Sequence, residues 1–205
     1  MGLDIDTVNG LISLPRSKVR QITSFADELL STDTLKLRDI ARILGKFSWA
    51  SIAVANAQAH CCGMQGMYIA KYARAKNPDC SVPRSEAVKS DLSWWRENLP
   101  LRNGNHLWQE EPSIIIYSDA SLSAGDQSDK STGGPWTAEE RTRHINVLEL
   151  EASWLALRSF AGSMKGVTIE ICFDSFAAGS YINHKVGTIS KHLNAIALQM
   201  VNWSE

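Results

Sequence analysis

The sequence predicts an α/β fold preceded by a mainly helical half. Three observations carry that expectation. Residues 114–117, IIIY, and 167–173, VTIEICF, are runs of β-branched and aromatic residues of strand length. Between them, residues 141–160 repeat apolar side chains at helical spacing, and more helical sequence follows, so the order is strand, helix, strand, helix. Before residue 113 helical periodicity dominates, introduced by one hairpin signal.

A chain of 205 residues, 44% apolar and 21% charged, can build a sizeable core. The net charge is −1, unevenly spread: residues 1–112 carry 14 Lys and Arg against 12 Asp and Glu, residues 113–205 carry 7 against 10. No strong basic field advertises nucleic acid. A slightly acidic half can still meet phosphates if its carboxylates hold cations. Cys61, Cys62, Cys80 and Cys172 have no C-x-x-C spacing, so reduced, mostly buried thiols are expected rather than a zinc site. With no apolar run of membrane-spanning length and no signal peptide, the chain is expected to be soluble and intracellular, cytoplasmic or nuclear.

Residues 2–14, GLDIDTVNGLISL, alternate apolar and polar on both sides of Asn9-Gly10, a hairpin signal. Pro15 suits the first turn of a helix that Val19, Ile22, Ala26 and Leu29 carry to Leu30. A second helix is expected from Thr34, with Leu37, Ile40, Leu44 and Phe47 on its apolar face and Lys36, Arg38, Arg42 and Lys46 mostly off it. From Ala50 to Lys76 the pattern is partly helical. Ser85 can cap a third helix to Asn98, whose stripe is Val88, Leu92 and Trp95. Trp94-Trp95 could stack bases but reads rather as a core or interdomain anchor, since large aromatics at helical spacing usually pack. Leu99–Pro112 reads as the linker between halves.

In the second half, residues 123–134 are polar and glycine-rich, hence loop. Thr137 and Glu140 have capping-box spacing. On the helix expected near Arg141–Phe160, with Ile145 taken as zero and about 100° per residue, Leu148, Ala152, Leu155 and Ala156 form the buried stripe. Glu149 falls about 40° from Ile145, inside the stripe, and Glu151 about 120° away, as a surface acid would. A Glu on an apolar face needs a partner, a proton or a metal. Asp119 closes the first strand run and Asp174 the second. Residues 175–183 and 189–203 are helical, with 185–188 a turn between them. If the two strands are neighbours and the helix packs across them, Asp119, Glu149 and Asp174 converge at one edge. Clustered carboxylates bind hard cations through oxygen. A pair of Mg²⁺ ions can activate a water and stabilise the leaving oxygen of a phosphodiester.

Several motifs then resemble the ribonuclease H domain of retroelement polyproteins, most closely those of DIRS-like retrotransposons. They are YSDAS at Tyr117–Ser121, STGGPWT at Ser131–Thr137, HINVLELEA at His144–Ala152, FDSFAAGSYINHKVGT at Phe173–Thr188 and LNAIA at Leu193–Ala197. Residues 1–112 resemble the helical thumb or connection segment that follows a reverse transcriptase palm. The resemblance implies two domains, 1–112 and 113–205, the second a ribonuclease H-like mixed sheet flanked by helices. It implies Asp119, Glu149 and Asp174 as catalytic metal ligands, two Mg²⁺ ions with Mn²⁺ as a substitute, and hydrolysis of the RNA strand of RNA–DNA hybrids. A reverse transcriptase palm in the same polyprotein is the implied protein partner.

The sequence departs from the family twice. Residues 124–130, AGDQSDK, stand where a second strand is usual, and the chain stops before the family's downstream His and fourth Asp, so a C-terminally truncated domain is expected. These departures motivate the alternative: a catalytically inactive remnant acting as a nucleic-acid or protein-binding module.

Overall fold

A computed structural model describes residues 2–108, 111–120, 132–183 and 190–204. The chain divides into two compact units, Met1–Gln109 and Glu110–Glu205. The described residues are mixed α/β, with three small sheets.

The first unit opens with the hairpin, β1 (Asp4–Asp6) against β2 (Leu11–Ser13). Gly10 ends its turn at φ +65°, a left-handed conformation open to glycine, and a Cβ there would lie 2.7 Å from Trp108 Nε1. Pro15 then precedes α1 (Arg16–Leu30), which buries Ile22, Ala26 and Leu29. Thr34–Lys36 is a strand, β3, rather than the first turn of the next helix. Three residues are too short to show a period of two, so the helical pattern that follows masks the strand. Helix α2 (Leu37–Ala50) buries Leu37, Ile40, Ile43 and Phe47.

A 3₁₀ segment, Ala57–Cys61, leads into α3 (Cys62–Ala75). Strand β4 (Ser81–Pro83) pairs antiparallel with β3. Helix α4 (Glu86–Asn98) starts where its sequence says it should, Ser85 Oγ accepting the Val88 N–H at 3.4 Å. Trp95 is fully buried, stacked on Phe47 with ring centroids 4.2 Å apart, and its indole N–H donates to the His60 carbonyl at 3.0 Å. Trp94 stacks on His60 at 3.8 Å. Both tryptophans therefore pack, as expected. The segment read as linker is partly built into this unit. β5 (Asn105–His106) adds a third strand to β2, and the Asn103 amide exchanges two 2.8 Å hydrogen bonds with the Leu14 backbone.

One buried acid holds two helices together. Asp91 of α4 accepts the Met64 N–H at 2.9 Å and also the Gly63 N–H, capping α3 from outside its own chain segment. Burial pushes its carboxyl up to about 6, against the pull of those two bonds. All four cysteines are free, and burial pushes the Cys61 and Cys62 thiols up to about 12, so both are neutral at ordinary pH.

The second unit is a parallel strand pair with helices. β6 (Ile114–Tyr117) is followed, after a 3₁₀ turn at Glu140–Thr142, by α5 (Ile145–Ala161), β7 (Ile169–Cys172), α6 (Phe176–Asn183) and α7 (Lys191–Ser204). The capping box forms, with Thr137 N–H on Glu140 Oε2 at 2.8 Å and Glu140 N–H on Thr137 Oγ1 at 3.2 Å. It closes the 3₁₀ turn rather than α5, which begins at Ile145 instead of near Arg141. Ile116, Leu150, Leu157, Leu193, Ile196 and Met200 make the core. The expected mixed sheet has two strands among the described residues, both parallel. The expected second-strand position, 124–130, and the turn at 185–188 lie outside the described residues. No described helix is long and apolar enough to cross a membrane.

Candidate active site

The site begins with the strand register. β6 and β7 pair in parallel as Ile114 with Ile169 through Tyr117 with Cys172, and the ladder continues one bond further, Ser118 N–H to the Cys172 carbonyl at 2.9 Å. Asp119 and Asp174 each stand two residues beyond the last pair. The shared register therefore brings them level, at the C-terminal ends of neighbouring strands about 4.8 Å apart. Both are exposed.

Two local features fix Asp174. Ser175 caps α6, its Oγ accepting the Ala178 N–H at 3.1 Å and its carbonyl the Gly179 N–H at 3.0 Å. Gly179 also lets the helix lie against Phe173, since a Cβ there would come 2.7 Å from the ring. The chain is thus held on both sides of Asp174.

Helix α5 brings Glu149 to the same edge through a neighbour that sequence reading passed over. Ser153, fully buried one turn on, donates to the Glu149 carbonyl at 2.9 Å and lies in hydrogen-bond contact with Ser118 Oγ at 3.2 Å. Ser118 immediately precedes Asp119, so the turn of α5 bearing Glu149 is tied to the end of β6. The available signal was a Ser four residues after a Glu on one helix face.

The buried face of α5 is not the expected stripe. Ile145 and Leu155 are 43% and 51% exposed, while Leu150, Ser153, Leu157 and Ala161 are buried. The true face is turned by roughly a third of a turn, because α5 is apolar nearly all round and its periodicity is weak. Glu149 lies on the flank of that face rather than at its centre. It is half-buried, and its Oε2 atom is buried with no hydrogen-bond partner. Glu151, expected at the surface, is half-buried too and is paired with Arg143 through Oε1, while its Oε2 is buried without a partner like that of Glu149. A buried, unsatisfied carboxylate oxygen carries a desolvation penalty of about 1–3 kcal/mol or more that a cation would relieve.

The strand register levels Asp119 with Asp174, and the Ser153–Ser118 contact ties the helix turn that bears Glu149 to β6. The three side chains do not close into a cage: among the described residues no three His, Cys, Asp or Glu are grouped closely enough to hold a metal ion. Mutual repulsion between anions favours that splay, and the two exposed aspartates gain by facing water. Oxygen donors of this kind suit Mg²⁺ or Mn²⁺, and the unsatisfied Glu149 oxygen fits such an ion.

Compared with known proteins, the chain matches no family model, no curated protein and no solved structure.

Proposed function

We propose that the second unit is a retroelement-derived, ribonuclease H-like domain that hydrolyses the RNA strand of RNA–DNA hybrids. The observation that carries this reading is the level pair Asp119 and Asp174 at the ends of parallel strands, together with an unsatisfied Glu149 oxygen on a helix turn tied to Ser118. On this reading the three carboxylates hold two Mg²⁺ ions, or Mn²⁺ in their place. When bound, such ions activate a water and stabilise the leaving 3′ oxygen of a phosphodiester. The chain's own residues do the positioning. The β6–β7 ladder sets the separation of the aspartates, the Ser153–Ser118 contact fixes Glu149 against β6, and the Ser175 cap holds Asp174. The resemblance adds a reverse transcriptase palm in the same polyprotein as the partner.

A second reading has its own support. The carboxylate side chains are not gathered, which suits an inactive remnant that binds nucleic acid or protein. The experiment that separates the two is cleavage of a labelled RNA–DNA hybrid by the full chain, with Mg²⁺ and with EDTA. Mg²⁺-dependent RNA cleavage that Asp174→Asn abolishes supports the enzyme. Hybrid binding without cleavage supports the remnant, and cleavage unchanged by Asp174→Asn overturns the site.

A further inference from the structure

The first unit carries a groove between α1 and α2 that the hydrolase reading does not use. Its volume is about 440 Å³, and it is lined by Lys18, Gln21 and Ile22 from α1 and by Arg42, Gly45, Lys46 and Trp49 from α2. Each wall is one helix face, at spacings of three and four residues. Three lining residues are cations and none is a carboxylate, on a chain whose net charge is −1.

Two of the three cations, Lys18 and Lys46, are not spent elsewhere. Among the described residues, no carboxylate lies within ion-pair distance of Lys18 or Lys46. Arg42 is held by Asp39 Oδ1 at 3.2 Å and lies 5.2 Å from the Phe25 ring centroid, so its guanidinium is oriented. Arg38, by contrast, is taken up by Asp79 at 2.7 Å and does not line the groove. Like charges lining one concave surface raise the local concentration of anions.

The shape of the charge selects among anions. Arg42 and Lys46 are four residues apart, about 6 Å along the helix axis, with Lys18 on the opposite wall. The charges are spread along a channel rather than gathered round one phosphate. The half-buried Trp49 supplies apolar surface, and aromatic residues beside cations are the combination that holds single-stranded bases over a tracked backbone. We infer that the α1–α2 groove binds single-stranded nucleic acid, its phosphates on Lys18, Arg42 and Lys46 and one base against Trp49. This does not rest on hydrolysis at the carboxylates.

Gly45 gives a clean test. Nothing lies within 4 Å of where its Cβ would be, so Gly45→Glu sets a carboxylate in the groove without a clash. It also replaces a mid-helix glycine with a better helix former, so lost binding is not lost folding. The assay is fluorescence anisotropy of a labelled ten-nucleotide single strand with the full chain in EDTA, which silences metal-dependent hydrolysis. The wild type should bind with log affinity falling against log salt at a slope of roughly −2, from three cations at about 0.7 each. Gly45→Glu and Lys18→Gln/Lys46→Gln should each bind at least tenfold more weakly, the double variant with the shallower slope. Trp49→Leu should weaken binding several-fold with the slope unchanged, and Trp49→Phe should retain most of it. Equal binding by wild type and the charge variants overturns the assignment. So does polyglutamate displacing the strand as well as unlabelled strand does, which would mark a site for acidic protein.

Discussion

Replacing Asp91 with Asn exchanges a buried carboxylate for a neutral side chain of nearly the same shape. Asp91 belongs to α4 but satisfies the first amides of α3. Burial raises its carboxyl from the ordinary 3.8 to about 6. The folded protein therefore binds this proton more tightly than the unfolded chain does. Between those two values the folded state carries more protons, so stability falls as pH rises through the window and levels off above it. At about 1.36 kcal/mol per pH unit, a shift of about two units amounts to ~3 kcal/mol. Cys61 and Cys62, the neighbouring thiols, stay protonated throughout the window and add nothing to it. Asp91→Asn removes the titration while keeping an acceptor for Met64. Urea unfolding followed by circular dichroism from pH 4 to 7 should show the variant gaining about 2 kcal/mol on the wild type as pH rises, the part of the shift that lies inside this range. Exchange of the Met64 amide reports the same opening locally. Parallel stability curves across the whole range would refute the reasoning.

Two further substitutions test the packing that frames α4. Gly63→Ala would put a Cβ 2.8 Å from the Ala87 carbonyl oxygen, a backbone atom that cannot rotate away, so α3 and α4 must part. The expected loss is about 1–3 kcal/mol, read as a fall of several degrees in the Tm of the first unit. Ser85→Ala removes the cap on Val88 and should destabilise by about 1 kcal/mol while leaving the circular dichroism spectrum of the native state unchanged.

What the sequence made legible follows from how local each signal is. The hairpin and α4 were readable because Asn9-Gly10 and Ser85 act within a few residues of themselves. Strands β3 and β4 were not, since three-residue strands carry no periodicity and exist by pairing across 45 to 49 residues, Thr34 with Pro83 at one end and Lys36 with Ser81 at the other. The start of α5 was misplaced because a genuine capping box, Thr137 and Glu140, closes a separate turn ahead of it. Its buried face was misjudged because Ile145 and Leu155 are as apolar as the residues that do pack. Glu149 still emerged, for a simpler reason: an acid amid apolar neighbours stands out whichever face is taken as zero. Asp119 and Asp174 were visible as strand-ending acids, but their level placement is a property of register, which no local pattern encodes. The Ser118–Ser153 contact is long-range and was invisible for the same reason.

Asp119, Glu149 and Asp174 must share one cation pocket. Paramagnetic broadening of backbone amides by substoichiometric Mn²⁺, with the full chain and with Asp174→Asn, tests this without requiring turnover. The amides around Ser118, Glu149 and Ser175 should broaden together and should all recover in the variant. Broadening at one of these places without the others, or broadening that survives the substitution, would contradict a common site.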